Sequence, residues 1–104
     1  MAEKICTEHL RNFSRKKLDE AIKLLEDAVE NLPKEVENCN TFRLTFWLGD
    51  AGNAYGMAVT VMELVPDAET DPEFKSKWSK IADLYDKAWR QRDQFMLKCR
   101  PPGW

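Results

Sequence analysis

The chain has 104 residues, of which 43% are hydrophobic, which is enough for one core and too few for two domains. Its 16 basic and 18 acidic residues give a net charge of -2, so it lacks the basic excess that drives binding to nucleic acid. No stretch approaches the roughly 18 apolar residues of a membrane span, and the charged start has no signal-peptide pattern. We therefore expect one cytoplasmic domain of residues 1–104, with a short proline-rich tail at 100–104, and neither nucleic acid nor a membrane as its partner.

The first part of the chain carries a helical pattern from residue 18 onward. Apolar residues recur there at alternating steps of four and three, at Leu18, Ile22, Leu25, Val29 and Leu32. The same phase carried backwards meets charged residues, which indicates a break near Ser14, a good helix N-cap. We therefore predict a short helix at about 2–12 and a second helix at about 15–32, which Pro33 ends.

The middle of the chain admits two interpretations. Alternate residues from 42 to 48 are apolar, as in a strand, and the glycines that follow could form a hairpin loop, which would make the protein α+β. Against this, apolar residues recur at helical steps over the whole segment, at Leu44, Leu48, Ala51, Tyr55, Ala58, Met62 and Val65. We favour one long helix at about 35–65 over a hairpin at 41–65, although each internal glycine costs about 1 kcal/mol relative to alanine.

The last helix has the clearest start signal. Asp71 is a typical N-cap, Pro72 suits the first helical position, and apolar residues then follow at helical spacing as far as Cys99. We predict a helix at about 72–99. The protein is then all-α, a small antiparallel bundle of two long helices and a broken N-terminal rod.

The cysteines and the single histidine do not predict a metal site. Cys6, Cys39 and Cys99 are an odd number without framework spacing, which is typical of reduced thiols. Cys6 and His9 have the spacing of two metal ligands on a helix, but the other two cysteines are expected at the opposite end of the bundle. We therefore expect no metal and no cofactor.

Three cations follow Ser14, namely Arg15, Lys16 and Lys17, at a predicted helix N-terminus where the helix dipole disfavours them. A phosphate-bearing ligand would offset this cost through free backbone N–H groups and the three side chains. The acidic connection at 63–71, expected at the same end of the bundle, would serve equally well. These four residues are therefore a candidate anion-binding site.

A stripe of small residues lies beside the core face of the long middle helix. Its three glycines, with Thr45, follow one another at helical steps of four, three and four, which lets another helix approach closely. Either a helix of the same chain fills the stripe or a partner does. Trp104 is a candidate external anchor, because tryptophan is enriched in interface hot spots. The candidate interface residues are Thr45, Phe46, Gly49, Gly52, Gly56, Met57 and Trp104.

The chain lacks the parts of a nucleophilic active site, since it has no second histidine and no serine or cysteine beside a plausible base. We therefore expect a non-enzymatic protein–protein interaction module, a helical adaptor or inhibitor that forms a homodimer and binds another protein. A small, motif-poor chain of this kind would suit a phage or mobile-element inhibitor. The alternative is a binder of a phosphorylated or nucleotide-like small molecule at the candidate anion-binding site, residues 14–17.

Overall fold

The computed structural model describes residues 2–99, with side chains from residue 8 onward. Within this range the chain forms three helices, which are α1 (Ala2–Glu37), α2 (Thr41–Leu64) and α3 (Pro72–Lys98). They pack into a rod of 63 × 22 × 20 Å. The predicted all-α bundle is confirmed. The alternative of a hairpin at 41–65 is wrong, because α2 is helical over its whole length.

α1 is one continuous helix, so the predicted break near Ser14 is wrong. Its buried stripe steps alternately by four and three through Ser14, Leu18, Ala21, Leu25, Ala28, Leu32 and Glu35. The prediction instead followed the larger Ile22 and Val29, which only flank the core. The helical spacing that includes Ala28 and Ala21, continued toward the N-terminus, reaches the small Ser14 without a break. Ser14 is therefore a buried residue within α1 and not an N-cap.

Pro33 lies inside α1, which continues to Glu37, so the predicted helix end at 32 and helix start at 35 are both wrong. Proline near a helix C-terminus removes a single intrahelical N–H donor. Leu32 and Val36, on either side of Pro33, are both buried in the core. We infer that this packing holds the last turn of α1 in place.

Hydrogen bonds in the turn between α1 and α2 explain where α1 ends and where α2 begins. The N–H groups of Asn40 and Cys39 donate to the carbonyls of Glu35 (3.0 Å) and Val36 (3.2 Å), the pattern of a Schellman closure. Cys39 has a φ of 49°, the left-handed conformation that such a closure requires. The Asn40 side chain then accepts a hydrogen bond from the Arg43 N–H (3.1 Å) and caps α2.

α3 begins as the sequence predicts. The Asp71 carboxylate accepts hydrogen bonds from the backbone N–H groups of Glu73 (2.9 Å) and Phe74 (3.3 Å), and Pro72 occupies the first turn. The helix ends at Lys98, one residue before the predicted end. The predicted helix at about 72–99 is therefore confirmed.

A disulfide joins Cys39 to Cys99, with Cα atoms 5.4 Å apart. The prediction of reduced thiols is therefore wrong for these two residues, and the Cys6 side chain lies outside the described part of the chain. This disulfide links the C-terminal end of α3 to the turn between α1 and α2. Sixty residues separate the two cysteines, so the pairing depends on the bundle itself.

The core lies along the axis of the rod, where α1 packs extensively against both α2 and α3. Its largest fully buried side chains are Leu18, Leu25, Leu32, Phe74 and Ile81. α2 and α3 contact each other less than either contacts α1. The side of the rod between α2 and α3 is consequently its more open side.

Candidate interaction surface

α2 differs from the other two helices by its low charge. Its 24 residues include the charged Arg43, Asp50 and Glu63, and no charged residue lies between the last two. The side opposite the core exposes small or neutral residues, at Thr45, Gly49, Asn53, Gly56 and Thr60. α1 and α3 instead expose mostly Lys, Arg, Asp and Glu. The neutral face of α2 therefore lacks the solvated charges that cover the rest of the rod.

The glycine stripe on this face is open. Apart from its chain neighbours and the nearby backbone of α2 itself, a Cβ atom built on Gly49, Gly52 or Gly56 would meet no described atom within 4 Å. The alternative in which another helix of the same chain fills the stripe is therefore wrong for residues 2–99. Each glycine costs about 1 kcal/mol relative to alanine in a helix, and no close packing within these residues offsets that cost.

Large apolar side chains lie exposed at both ends of α2. Phe42 and Phe46 are 83% and 55% exposed near its start, and Leu64 is 64% exposed at its end. Met57, another predicted interface residue, is partly buried against the core. Trp104 lies outside the described residues. Exposed apolar groups of this kind mark surfaces that bind other proteins when they are contiguous.

An aromatic row fixes the orientation of α2 against α3. The rings of Tyr55 and Tyr85 stack with centroids 4.2 Å apart, and the Tyr55 ring lies 5.5 Å from that of Trp78. Trp89 meets Tyr85 edge-on at 6.0 Å. The sequence places these residues at core spacing, but the contacts between the two helices become visible only once their register is known. The row holds the stripe of α2 on the outside of the rod.

The predicted anion-binding residues lie within α1, close to the start of α3. Arg15 Nε is 2.8 Å from a carboxylate oxygen of Glu73, and Lys17 forms an ion pair inside α1. Lys16 is exposed and has no ion pair among the described side chains. Because Ser14 is buried in mid-helix, no free helix N-terminus exists there. Anion binding at this cluster stays a prediction, and it would depend on the side chains alone, because no free backbone N–H groups lie there.

Arg11, one helical turn before Arg15, closes this end of the bundle. Its guanidinium pairs with the Asp71 carboxylate, donates to the Pro66 carbonyl (3.1 Å) and lies 5.4 Å from the centre of the Phe74 ring. Desolvation raises the pKa of Asp71, but the N–H groups of Phe74 and Glu73 and the charge of Arg11 outweigh it. The pKa of Asp71 is therefore lower than its ordinary value, and Asp71 holds both helices while it is ionised.

Comparison with protein-family models finds no match, and the comparisons with curated proteins and with solved structures likewise find none. Among the described side chains, no three His, Cys, Asp or Glu residues gather in a way that could hold a metal ion. No helix within residues 2–99 is long and apolar enough to cross a membrane. The exposed surfaces of the bundle are therefore the candidate functional regions of the described residues.

Proposed function

We propose that this protein is a non-enzymatic interaction module that pairs with a second copy of itself through α2 and acts on another protein as a helical adaptor or inhibitor. The observation that carries the proposal is the open glycine stripe on a neutral helix face. Glycine at a solvent-facing helix position weakens the helix without a benefit inside the chain. Close packing of a helix from a second copy on the stripe would offset the stability that the glycines cost.

The order of small residues on α2 suits a two-fold pair. Read in either direction, the stripe runs from threonine through glycines to threonine, as Thr45, Gly49, Gly52, Gly56 and Thr60. In an antiparallel pair centred near residue 52, Gly49 of one copy lies level with Gly56 of the other. A two-fold interface requires this kind of self-complementarity. The small residues let the backbones approach, as they do at close helix crossings.

The apolar flanks of the stripe supply buried area. In the same arrangement, Phe46 of one copy comes level with Val59 of the other, and Phe42 comes level with the end of α2 near Leu64. Phe42, Phe46 and Leu64 are all more than half exposed in the single chain. Burial of such side chains stabilises an interface by about 25 cal/mol per Å² of apolar surface. Asp50 is the one charged residue of α2 between Arg43 and Glu63, so little charge would have to be desolvated in the middle of this pair.

The molar mass in solution, from light scattering on a sizing column, tests this proposal. We expect the wild-type protein to show twice the 12.1 kDa mass of the chain at micromolar concentration. Gly52→Leu should give a folded monomer, because the added side chain meets open space within the chain but blocks the second helix. Ser79→Leu, on the exposed side of α3, is the matched control and should stay dimeric.

Two results would contradict the proposal. The first is a wild-type protein that is monomeric at high micromolar concentration. The second is a Gly52→Leu variant that stays as dimeric as the Ser79→Leu control.

A further inference from the structure

A groove runs between α2 and α3 at the end of the rod where the connection of residues 65–71 joins them. It encloses about 520 Å³ and is lined by Tyr55, Val59, Met62, Glu63, Glu69, Lys75 and Trp78. An adjoining hollow of about 490 Å³ shares Met62, Glu63 and Glu69 and continues over residues 65–70. Together they form an extended depression, apolar where Tyr55, Val59 and Trp78 line it and more polar over residues 65–70, whose length suits a chain segment better than a small molecule.

The rim of this groove carries acids that the bundle does not neutralise. Asp71 and Glu73, just beyond it, are paired with Arg11 and Arg15 of α1. Among the described side chains, Glu63, Asp67 and Glu69 have no ion-pair partner, and all three are exposed. Lys75 is the one basic residue of the lining. Arg11 and Arg15 close α1 against α3, so the groove and its rim carry three acids against the single Lys75.

We propose that this groove binds a basic amphipathic segment of a partner protein. An apolar side chain of that segment packs on the floor formed by Tyr55, Val59 and Trp78, and its lysines or arginines meet Glu63 and Glu69 at the rim. An apolar floor beside carboxylates without ion-pair partners complements an apolar anchor flanked by cations. Trp78 also offers a π face to a cation or an aliphatic stem.

The test uses a short acetylated helical peptide of alanine and lysine with two leucines on one face. Calorimetric titration at about 0.15 M salt, where the Debye length is about 8 Å, gives its affinity. Glu63→Gln combined with Glu69→Gln should weaken binding about tenfold, because each solvent-exposed ion pair at the rim contributes about threefold to the affinity. Glu30→Gln combined with Glu37→Gln removes the same charge from exposed positions of α1 and should leave binding unchanged.

A spectroscopic readout locates the peptide. The indole N–H signal of Trp78, assigned from a Trp78→Phe spectrum, should shift on titration more than those of Trp47 and Trp89. The proposal is overturned if the two double variants bind equally, if the Trp78 signal does not move, or if the same peptide with glutamate in place of lysine binds as well. Val59 of the groove lining also comes level with Phe46 of the second copy in the proposed dimer. The titration is therefore repeated with Gly52→Leu, which should bind the peptide at least as tightly as the wild type whether or not the protein self-associates.

Discussion

The two ends of the rod are closed by different chemistry. At one end the Cys39–Cys99 disulfide joins α3 to the α1–α2 turn. At the other end Arg11 pairs with Asp71, and both Arg11 and Arg15 lie over the Phe74 ring, at 5.4 and 5.7 Å from its centre. α1 and α3 run parallel and no single loop connects them, so each end needs a contact of its own. α1 and α3 are therefore held together by a covalent bond at one end and by opposite charges at the other.

Both closures keep the same register. Sixty residues separate Cys39 from Cys99, and sixty separate Arg11 from Asp71. An ion pair between Asp19 and Lys77 lies between them, at a separation of 58. The two helices therefore do not slip relative to each other between the two ends. Loss of either closure should free that end while the other end keeps the alignment.

Removal of the covalent closure should have the largest effect. Cys99→Ser opens a loop of 60 residues, for which the loss of chain entropy in the unfolded state corresponds to about 4 kcal/mol of unfolding free energy. Urea unfolding followed by circular dichroism measures this loss. Reducing agent should destabilise the wild type by a similar amount and should not affect Cys99→Ser. Equal stability of wild type and variant would show that the bundle does not depend on this end.

The backbone at Cys39 sharpens the same comparison. Its φ of 49° places a residue with a Cβ in a conformation that glycine adopts at little cost. Cys39→Gly and Cys39→Ser both lose the disulfide, but the glycine variant should be about 1 kcal/mol more stable than the serine variant. Paired urea titrations give the difference. Identical midpoints would mean that the turn relaxes once the disulfide is absent.

Substitutions at the end closed by Arg11 and Arg15 should lower the unfolding free energy less than loss of the disulfide does. Arg15→Glu places an acid against Glu73 and removes the guanidinium from the Phe74 ring, which should lower the unfolding free energy by about 1 kcal/mol. The side chains of Arg15 and Glu73 are 34% and 47% exposed, so added salt should reduce the loss. Lys16→Glu is the matched control, because Lys16 is exposed and has no ion pair among the described residues. Thermal melts at two salt concentrations measure both variants, and equal losses would remove the case for a structural role of Arg15.

The sequence predicts best those features that depend on neighbours along the chain. The cap of α3 needs only Asp71 and Pro72, and the helical period of α2 is strong enough to outweigh its glycines. The continuity of α1 was missed because Ala21 and Ala28, which lie on the buried stripe, look less hydrophobic than the flanking Ile22. Small residues mark the closest helix contacts, so a pattern read from large residues alone follows the wrong phase.

Features that depend on the register of two helices could not be predicted. The spacing of the glycines suggested an interface stripe, but whether the chain covers it depends on how α2 turns against α3 through Tyr55 and Tyr85. Likewise, the cations near Ser14 suggested either an anion site or pairing with acids of the same chain at that end of the bundle. Which acid each cation meets, as Arg15 meets Glu73, depends on the parallel register of α1 and α3.

Acid should open the ionic end first. The pKa of Asp71 is lowered in the folded state, so the stability that it contributes is complete above the pKa of an unfolded aspartate, about 3.9, and is lost as pH falls from there through the folded pKa. Asp71→Asn keeps a capping oxygen but removes the charge. The difference in melting temperature between wild type and Asp71→Asn should therefore be constant near neutral pH and shrink below about pH 4.

Arg11→Met separates the two causes of the lowered pKa of Asp71, which are the charge of Arg11 and the backbone N–H donors of the cap. It keeps an apolar stem beside Phe74 but removes the charge that favours ionised Asp71, whereas the N–H donors of Glu73 and Phe74 stay. The acid-induced loss of stability should then be smaller than in the wild type and should be complete at a higher pH, because the loss runs from the unfolded pKa down to the folded pKa and the folded pKa of Asp71 moves toward its unfolded value. Melting temperatures measured across the acid range give the size of the loss and the pH at which it ends. A loss unchanged by Arg11→Met would mean that the cap alone lowers the pKa of Asp71, and that Arg11 closes this end through its packing on Phe74 and its hydrogen bond to the Pro66 carbonyl.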